Sequence, residues 1–257
     1  MISTRRNDKK AGAAEHVFAA LAWFFVWEIA ALIVGKDLIL PGPLRVAVTL
    51  AGLIGQGSFW LSIGMTLIRI LGGYLLGLLL ACLLAVLTSF VRIADILLSP
   101  AIRIIRAVPV ASFIILALLW VGRSRVPVLI SMMMVVPVIW GNLSEAIAST
   151  DGKLLEMGRA YRFGKMKIFR FISLPSVLPS LEAGCLTAMG LAWKSGIAAE
   201  VLAQPKNAIG TNVYNSKVYL ETPELFAWTL TVIGLSLLIE HVIRRAVEAF
   251  KSREGAT

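Results

Sequence analysis

"WLSIGMTLIRILGGYLLGLLLACLLAVLTSF", Trp60 to Phe90, carries a single charge, Arg69. An apolar run of this kind reads as a transmembrane helix, because about 20 residues at 1.5 Å rise cross the hydrocarbon of a bilayer. This run is longer than one straight crossing needs, so it tilts or begins outside the bilayer. The rest of the chain repeats the pattern. Of its 257 residues 58% are hydrophobic, and mean hydropathy is +0.83. A soluble domain of that length does not sustain such hydropathy. Only helices and closed barrels satisfy the backbone in lipid, and runs this long are helical.

Working outward, five more apolar runs follow the same logic. The expected spans are Val17–Gly35, Trp60–Phe90, Ile96–Val121, Val126–Ile147, Ser180–Leu202 and Phe226–Ile243. The fold class is thus all-α, a polytopic membrane helix bundle of about six spans. Residues 1–15 read as a charged cytoplasmic tail, and 16–257 as one transmembrane domain. The first run holds bulky Trp and Phe and no small-residue cleavage site, so it is expected to be an uncleaved span. Pro41 and Pro43 punctuate its exit, and Leu44–Leu53 reads as a short surface helix. Pro109 interrupts the third span, and Pro137 lies inside the fourth.

The net charge of +10 fits nucleic acid or a membrane topology. Position decides for the membrane. Of 25 Lys/Arg, 17 fall on one side: four in the N-terminal tail, three after span 2, six after span 4 and four at the C-terminus. Lys36, Arg45, Arg69, Arg123, Arg125, Lys206 and Lys217 fall on or toward the other. Cytoplasmic loops carry the excess of cations. Both termini and the loop after span 4 are therefore expected in the cytoplasm, and no nucleic-acid partner is needed. Cys82 and Cys185 sit in apolar runs as buried thiols. His16 and His241 lie near opposite ends, and no metal cluster is expected.

The loop after span 4 is "KLLEMGRAYRFGKMKIFRFISLPSVLP", Lys153 to Pro179, with six Lys/Arg against one acid, Glu156. Leu154, Met157 and Tyr161 share one helical face. Ile168, Phe169 and Ile172 form a second stripe. Gly164 punctuates between them, and Pro175 is expected to end the unit. Two short amphipathic helices with a bend result. Such a pair either lies on anionic headgroups or docks in a partner's groove.

The stretch Glu156–Pro175 resembles the cytoplasmic loop of ABC importer permeases: E-A-A, three residues, G, nine residues, I, one residue, L-P. Glu156 takes the Glu position, and Met157 and Gly158 the two small positions. Arg162 stands at the Gly position, Ile172 at the Ile, and Leu174–Pro175 at L-P. Met157 and Arg162 depart from that pattern, and Gly164 comes two residues late. "VWEIAAL", "LPGP", "IRAVPVASFIILALLWVG" and "LAWKSGIAAEVL" also resemble permeases of the nitrate, sulfonate and taurine type. The likeness covers nearly all of Val17–Arg245.

That resemblance implies the transmembrane subunit of an ATP-driven importer in the bacterial inner membrane. It implies a homodimer, two cytoplasmic ATPase subunits and an extracytoplasmic substrate-binding protein. The loop 150–175 becomes the ATPase-coupling element, with Leu154, Leu155, Glu156, Gly158, Tyr161, Arg162, Gly164, Phe169 and Pro175 as its working residues. ATP and Mg belong to the partner subunits, and no cofactor is expected in this chain. No G-x-x-x-x-G-K-[ST] phosphate loop is present. The substrate class is a small anion such as sulfonate, taurine or nitrate, or a vitamin precursor.

Ionisable groups inside spans are costly and face a cavity or a partner. Glu28, Lys194 and Glu200 are such groups, so they are candidates for the substrate path, with Trp193 as wall or core and Pro109 as a hinge. The other reading of Lys194 is a structural pair with Glu28. An ion-coupled secondary transporter is the rival class. It lacks a reason for the docking loop, and no internal repeat marks it.

Overall fold

A computed structural model describes residues 5–254, with side chains between 18 and 245 except at positions 20, 155, 159, 165, 166 and 169. Among these every regular element is helical. The helices are α1 (Arg5–Val34), α2 (Pro43–Ile54), α3 (Gly57–Phe90), α4 (Arg92–Ala107), α5 (Val110–Trp120), α6 (Val126–Ala148), α7 (Gly152–Ala160), α8 (Lys165–Ile168), α9 (Leu174–Ala203), α10 (Ile209–Val218) and α11 (Thr222–Glu254). A π-helical turn, Phe169–Ser173, joins α8 to α9.

Among the described residues four helices are long and apolar enough to cross a membrane: Gly57–Phe90, Val126–Ala148, Arg170–Ala203 and Thr222–Arg245. A fifth arises if α4 and α5 count as one broken span. Within the first expected span, Val17–Gly35, the structure has a shorter apolar helical stretch, Leu21–Val34. The third span differs most from expectation. Instead of one interrupted helix, α4 and α5 meet at 109°. The cause is Pro109, which pushes the residue before it out of the helical region. Val108 is extended at φ −78°, ψ 134°. The 11 residues of α5 reach only about 16 Å, half the hydrocarbon thickness.

The chain forms two compact units. One holds the chain up to Trp60 with Asn212–Thr231, the other Leu61–Thr211 and the chain from Val232 onward. In the first unit, Pro43 opens α2, where its missing N–H costs nothing. Trp27 Nε1 donates to the Pro41 carbonyl at 3.1 Å and its ring stacks on Phe226 at 5.8 Å. The Thr222 hydroxyl donates to the Leu38 carbonyl. The proline-punctuated exit loop is thereby pinned by aromatic contacts.

In the second unit α3, α6 and α9 form the core. Tyr74, Ala81 and Ala85 of α3 meet Val135, Ile139 and Leu143 of α6 and Ala188, Met189 and Ala192 of α9. Gly73 and Gly77 let α3 close on α6. A Cβ at Gly73 would stand 2.4 Å from the Val128 carbonyl oxygen, and one at Gly77 2.8 Å from that of Met132. No side chain fits there, so the glycine pair packs helices within one subunit. The opposite face of α3 exposes Leu75, Leu76, Leu79 and Leu83. In a chain this apolar, such a belt is the surface offered to lipid tails.

Candidate functional site

The loop 150–175 folds into a compact hook. α7 ends in a left-handed cap. The Phe163 N–H reaches back to the Gly158 carbonyl at 2.9 Å, and Arg162 has φ +56°. This is the six-to-one bond of a Schellman motif, with Arg162 at the position where glycine is usual. Gly164 lies between α7 and α8, where punctuation is expected, but the left-handed residue of the turn is Arg162. The Gly164 carbonyl accepts from the N–H groups of Lys167 and Ile168 at 2.9 and 3.1 Å and opens α8. Pro175 does not end the unit, contrary to expectation. It sits in the first turn of α9, where proline is well tolerated.

The hook closes on one contact. Gly158 is buried, and a Cβ there would lie 2.9 Å from Ile172 Cδ1 and 3.3 Å from Ile168 Cγ1. The second apolar stripe therefore turns inward through Ile168 and Ile172. The first stripe stays outside. Leu154, Met157 and Tyr161 are 41%, 47% and 72% exposed. Glu156 is exposed beside them. Tyr161 packs near Phe163, and Lys167 Nζ lies 5.9 Å from the Phe163 ring centroid. The side chains of Leu155 and Phe169 lie outside the described residues.

At the far end of α9 stands a buried ion pair. Glu200 is fully enclosed. Arg69 Nη1 approaches its Oε1 at 3.3 Å, the Thr66 hydroxyl lies 2.8 and 3.0 Å from its two oxygens, and the Gly210 N–H donates at 3.2 Å. The same guanidinium donates to the carbonyls of Lys206 and Asn207 at 2.8 and 3.1 Å. The Ile209 N–H donates to the Thr66 hydroxyl at 3.0 Å. Every group is satisfied, as a buried charge requires. Glu200 is thus enclosed with Arg69 and does not face an open path.

The other path candidates separate. α9 runs unbroken through Gly196, so Lys194 and Glu200 point to different sides. Lys194 is exposed, on a stripe with Thr187, Leu191, Ala198 and Leu202. Among the described residues it enters no ion pair. Trp193 is 2% exposed and its Nε1 donates to the Val232 carbonyl at 3.3 Å; it is core. Glu28 lies against Gly42 in the other unit, where a Cβ would stand 3.2 Å from its Oε2. Pro109 is exposed at the α4–α5 bend. A cavity of about 530 Å³ opens beside that bend, lined by Arg106, Val108, Asn142, Glu145, Thr187 and Leu191. Lys194 lies two turns beyond Thr187 on the same face of α9.

Residues 73–254 match the family described as the binding-protein-dependent transport system inner membrane component. The chain belongs to this family. It is an ABC-importer permease, a membrane component built of several apolar helices. Among similar permeases, the putative aliphatic sulfonates transport permease SsuC of Escherichia coli K12 is 30% identical over 200 residues, covering 77% of this chain and 75% of its own. SsuC of Bacillus subtilis is 26% identical over 222 residues, 85% of this chain and 80% of its own. The taurine transport permease TauC of Escherichia coli K12 is 23% identical over 225 residues, 85% and 81%. The fold is also that of the permease in an inward-facing MetNI methionine ABC transporter, with TM-score 0.56 at 22% identity over 74% of this chain and 93% of that one.

Within the permease, four residues of these sites escaped sequence reading: Thr66, Arg69, Asn142 and Thr187. Thr66 and Arg69 lie more than 130 residues from Glu200. One sign was available: Arg69 is the lone charge of its span, as Glu200 is the lone carboxylate near the end of another, and buried charges seek each other. Asn142 and Thr187 carried no such sign, because neutral polar residues are common on helix faces.

Proposed function

We propose that this permease serves an ATP-driven importer of a small anion of the sulfonate type, as a homodimer between two cytoplasmic ATPase subunits and an extracytoplasmic binding protein. The hook 150–175 carries this reading. Its inner stripe is spent on holding the hook together, and its outer stripe, Leu154, Met157 and Tyr161, stays exposed on a rigid base. Apolar anchors of that spacing fit a groove, with burial stabilising by about 25 cal/mol per Å². Glu156 and the surrounding cations set register. Because the π-helical turn leads without a break into α9, movement of the hook reaches the helix that bears Lys194. ATP hydrolysis takes place in the partner subunits. The charge split supports termini and hook in the cytoplasm. The substrate class draws on the sulfonate and taurine permeases to which the chain is similar, and on Lys194 as a cation on the exposed face of α9.

The test is to change Tyr161 to Ala and Glu156 to Lys separately, then measure ATPase co-purification and substrate uptake. Each should weaken ATPase retention or uncouple hydrolysis from uptake, with the permease still inserted. Wild-type retention and uptake in both would show that the hook only rests on headgroups.

A further inference from the structure

The helix α4 separates its polar and apolar residues sharply, and the apolar side faces outward. Ser99 and Ile102 are buried on its inner side. On the opposite side Ile93, Ile96, Leu97 and Ile104 are exposed. Arg92 and Arg103 fall on the same edge of this stripe, because the eleven residues between their positions make about three turns. Both are exposed, and among the described residues neither enters an ion pair. The acid of α4, Asp95, accepts a hydrogen bond from the Ser99 hydroxyl and lines a cavity with Ser144, Ile147 and Ala148 of α6. The outward stripe is thus left without a negative charge.

The bend lays this helix across the bundle. The start of α5, Val110, lines the cavity beside Pro137, and its later residues Ile114 and Ala117 pack with Val126 and Ile130 nearer the start of α6. So α5 runs along α6. α4 turns from it by 109°, which puts α4 close to the membrane plane. It begins at the end of α6 that leads into the hook, since Asp95 lines its cavity with Ile147 and Ala148. The stripe is also continuous with the lipid-facing belt of α3. That belt, Leu75 to Leu83, goes on through exposed Leu87, Phe90 and Val91 directly into Ile93. The surface that lipid tails cover on α3 therefore has no boundary before α4. A helix with one apolar face and cations at its edge lies where acyl chains meet headgroups.

We propose that α4 is an interfacial helix that binds anionic phospholipid on the membrane face that bears the hook. Ile93, Ile96, Leu97 and Ile104 enter the acyl chains, and Arg92 and Arg103 hold the headgroup phosphates. The occupant follows from position and charge together. The apolar stripe extends a surface already given to lipid, and the cations at its edge attract acidic headgroups. A protein partner would have to displace lipid from a surface joined to the belt. The proposal needs no substrate, ATPase subunit or binding protein, so it stands apart from the importer reading.

The experiment uses the full-length permease in vesicles of phosphatidylcholine and phosphatidylglycerol. In a Cys82→Ala/Cys185→Ala background, Ile93→Cys, Leu97→Cys and Ile104→Cys each carry a bimane label, and phospholipids brominated at different depths quench it. All three labels should be quenched, with the depths at 93 and 104 agreeing within about 5 Å. A difference of about 16 Å would make α4 half of a crossing and overturn the proposal. Absence of quenching at all three would mean that protein or water covers the stripe, and would overturn it too. A second arm reads the headgroup. Brominated phosphatidylglycerol should quench the label at 97 at about fivefold lower mole fraction than brominated phosphatidylcholine. Arg92→Gln/Arg103→Gln should abolish that preference while leaving the label depths in place, and Arg92→Lys/Arg103→Lys should keep it. A preference unchanged in the neutral variant would show that these arginines do not hold the phosphates, and the proposal would fall. None of these results bears on the importer reading.

Discussion

Gly158 and Ile172 pack closely in the hook: a Cβ on the glycine would stand 2.9 Å from Ile172 Cδ1. The obstacle is the tip of a flexible side chain, so a methyl group can be admitted by a small shift. Gly158→Ala should therefore be close to neutral, because gained helix propensity of about 1 kcal/mol offsets the crowding. Gly158→Leu should destabilise the hook by about 1–3 kcal/mol through overpacking. Limited proteolysis between α7 and α9 separates the two: faster cleavage is expected for Leu alone. Equal protection of both variants would show that the contact does not hold the hook.

Arg162 supplies a second, independent test of the hook. A non-glycine residue in the left-handed region costs about 1–2 kcal/mol. Arg162→Gly should recover about 1 kcal/mol and slow hydrogen exchange at Phe163, whose N–H closes the cap. Arg162→Val should speed exchange, since a β-branched residue tolerates positive φ poorly. Faster exchange in the glycine variant would mean that the Arg side chain, not the backbone conformation, stabilises the turn.

The buried pair should behave as a unit. Glu200→Ala strands Arg69 and should cost about 3–5 kcal/mol, seen as loss of folded permease after detergent extraction. Thr66→Val removes the hydroxyl that serves both carboxylate oxygens and the Ile209 N–H, at about 1–3 kcal/mol. Replacing both charges, Arg69→Met with Glu200→Leu, should be milder than Glu200→Ala alone, because no orphaned charge remains. A double variant worse than the single would show that the loop carbonyls of Lys206 and Asn207 depend on the guanidinium more than the charge balance does.

These cases show what sequence can and cannot disclose. The membrane class was legible in Trp60–Phe90, since hydropathy is a sum over local composition. The outer stripe of the hook was legible too, because Leu154, Met157 and Tyr161 repeat at helical spacing. The break between the two short helices was legible at Gly164, but the left-handed residue was not, because a bond from Phe163 to Gly158 fixes positive φ at Arg162 whatever residue stands there. The inward turn of Ile168 and Ile172 was hidden for a similar reason: an amphipathic stripe does not say whether it faces a partner or its own neighbour. Pro109 was seen as an interruption, but the size of the bend depends on α4 and α5 each finding separate packing. Glu200 was read as a path candidate because it is an ionisable group within a span, whereas the structure pairs it with Thr66 and Arg69 of α3.

Lys194 is left as the candidate in which charge and exposure coincide. It stands on the stripe of α9 that also lines the cavity through Thr187 and Leu191. A cation kept on an otherwise apolar helix face is expensive in a membrane unless that face meets water or an anion. An importer of a sulfonate-like anion gives it such a role, as a charge that lowers the barrier along the path. Lys194→Gln should then lower uptake at subsaturating substrate by about tenfold, equivalent to about 1.4 kcal/mol, while the complex assembles normally. Normal assembly is expected because Lys194 enters no ion pair among the described residues. Lys194→Arg should keep most of the uptake, since it preserves the charge. The measurement is uptake in vesicles beside ATPase co-purification of the same variants. Unchanged uptake in Lys194→Gln would remove the residue from the path, and loss of assembly would make it structural instead.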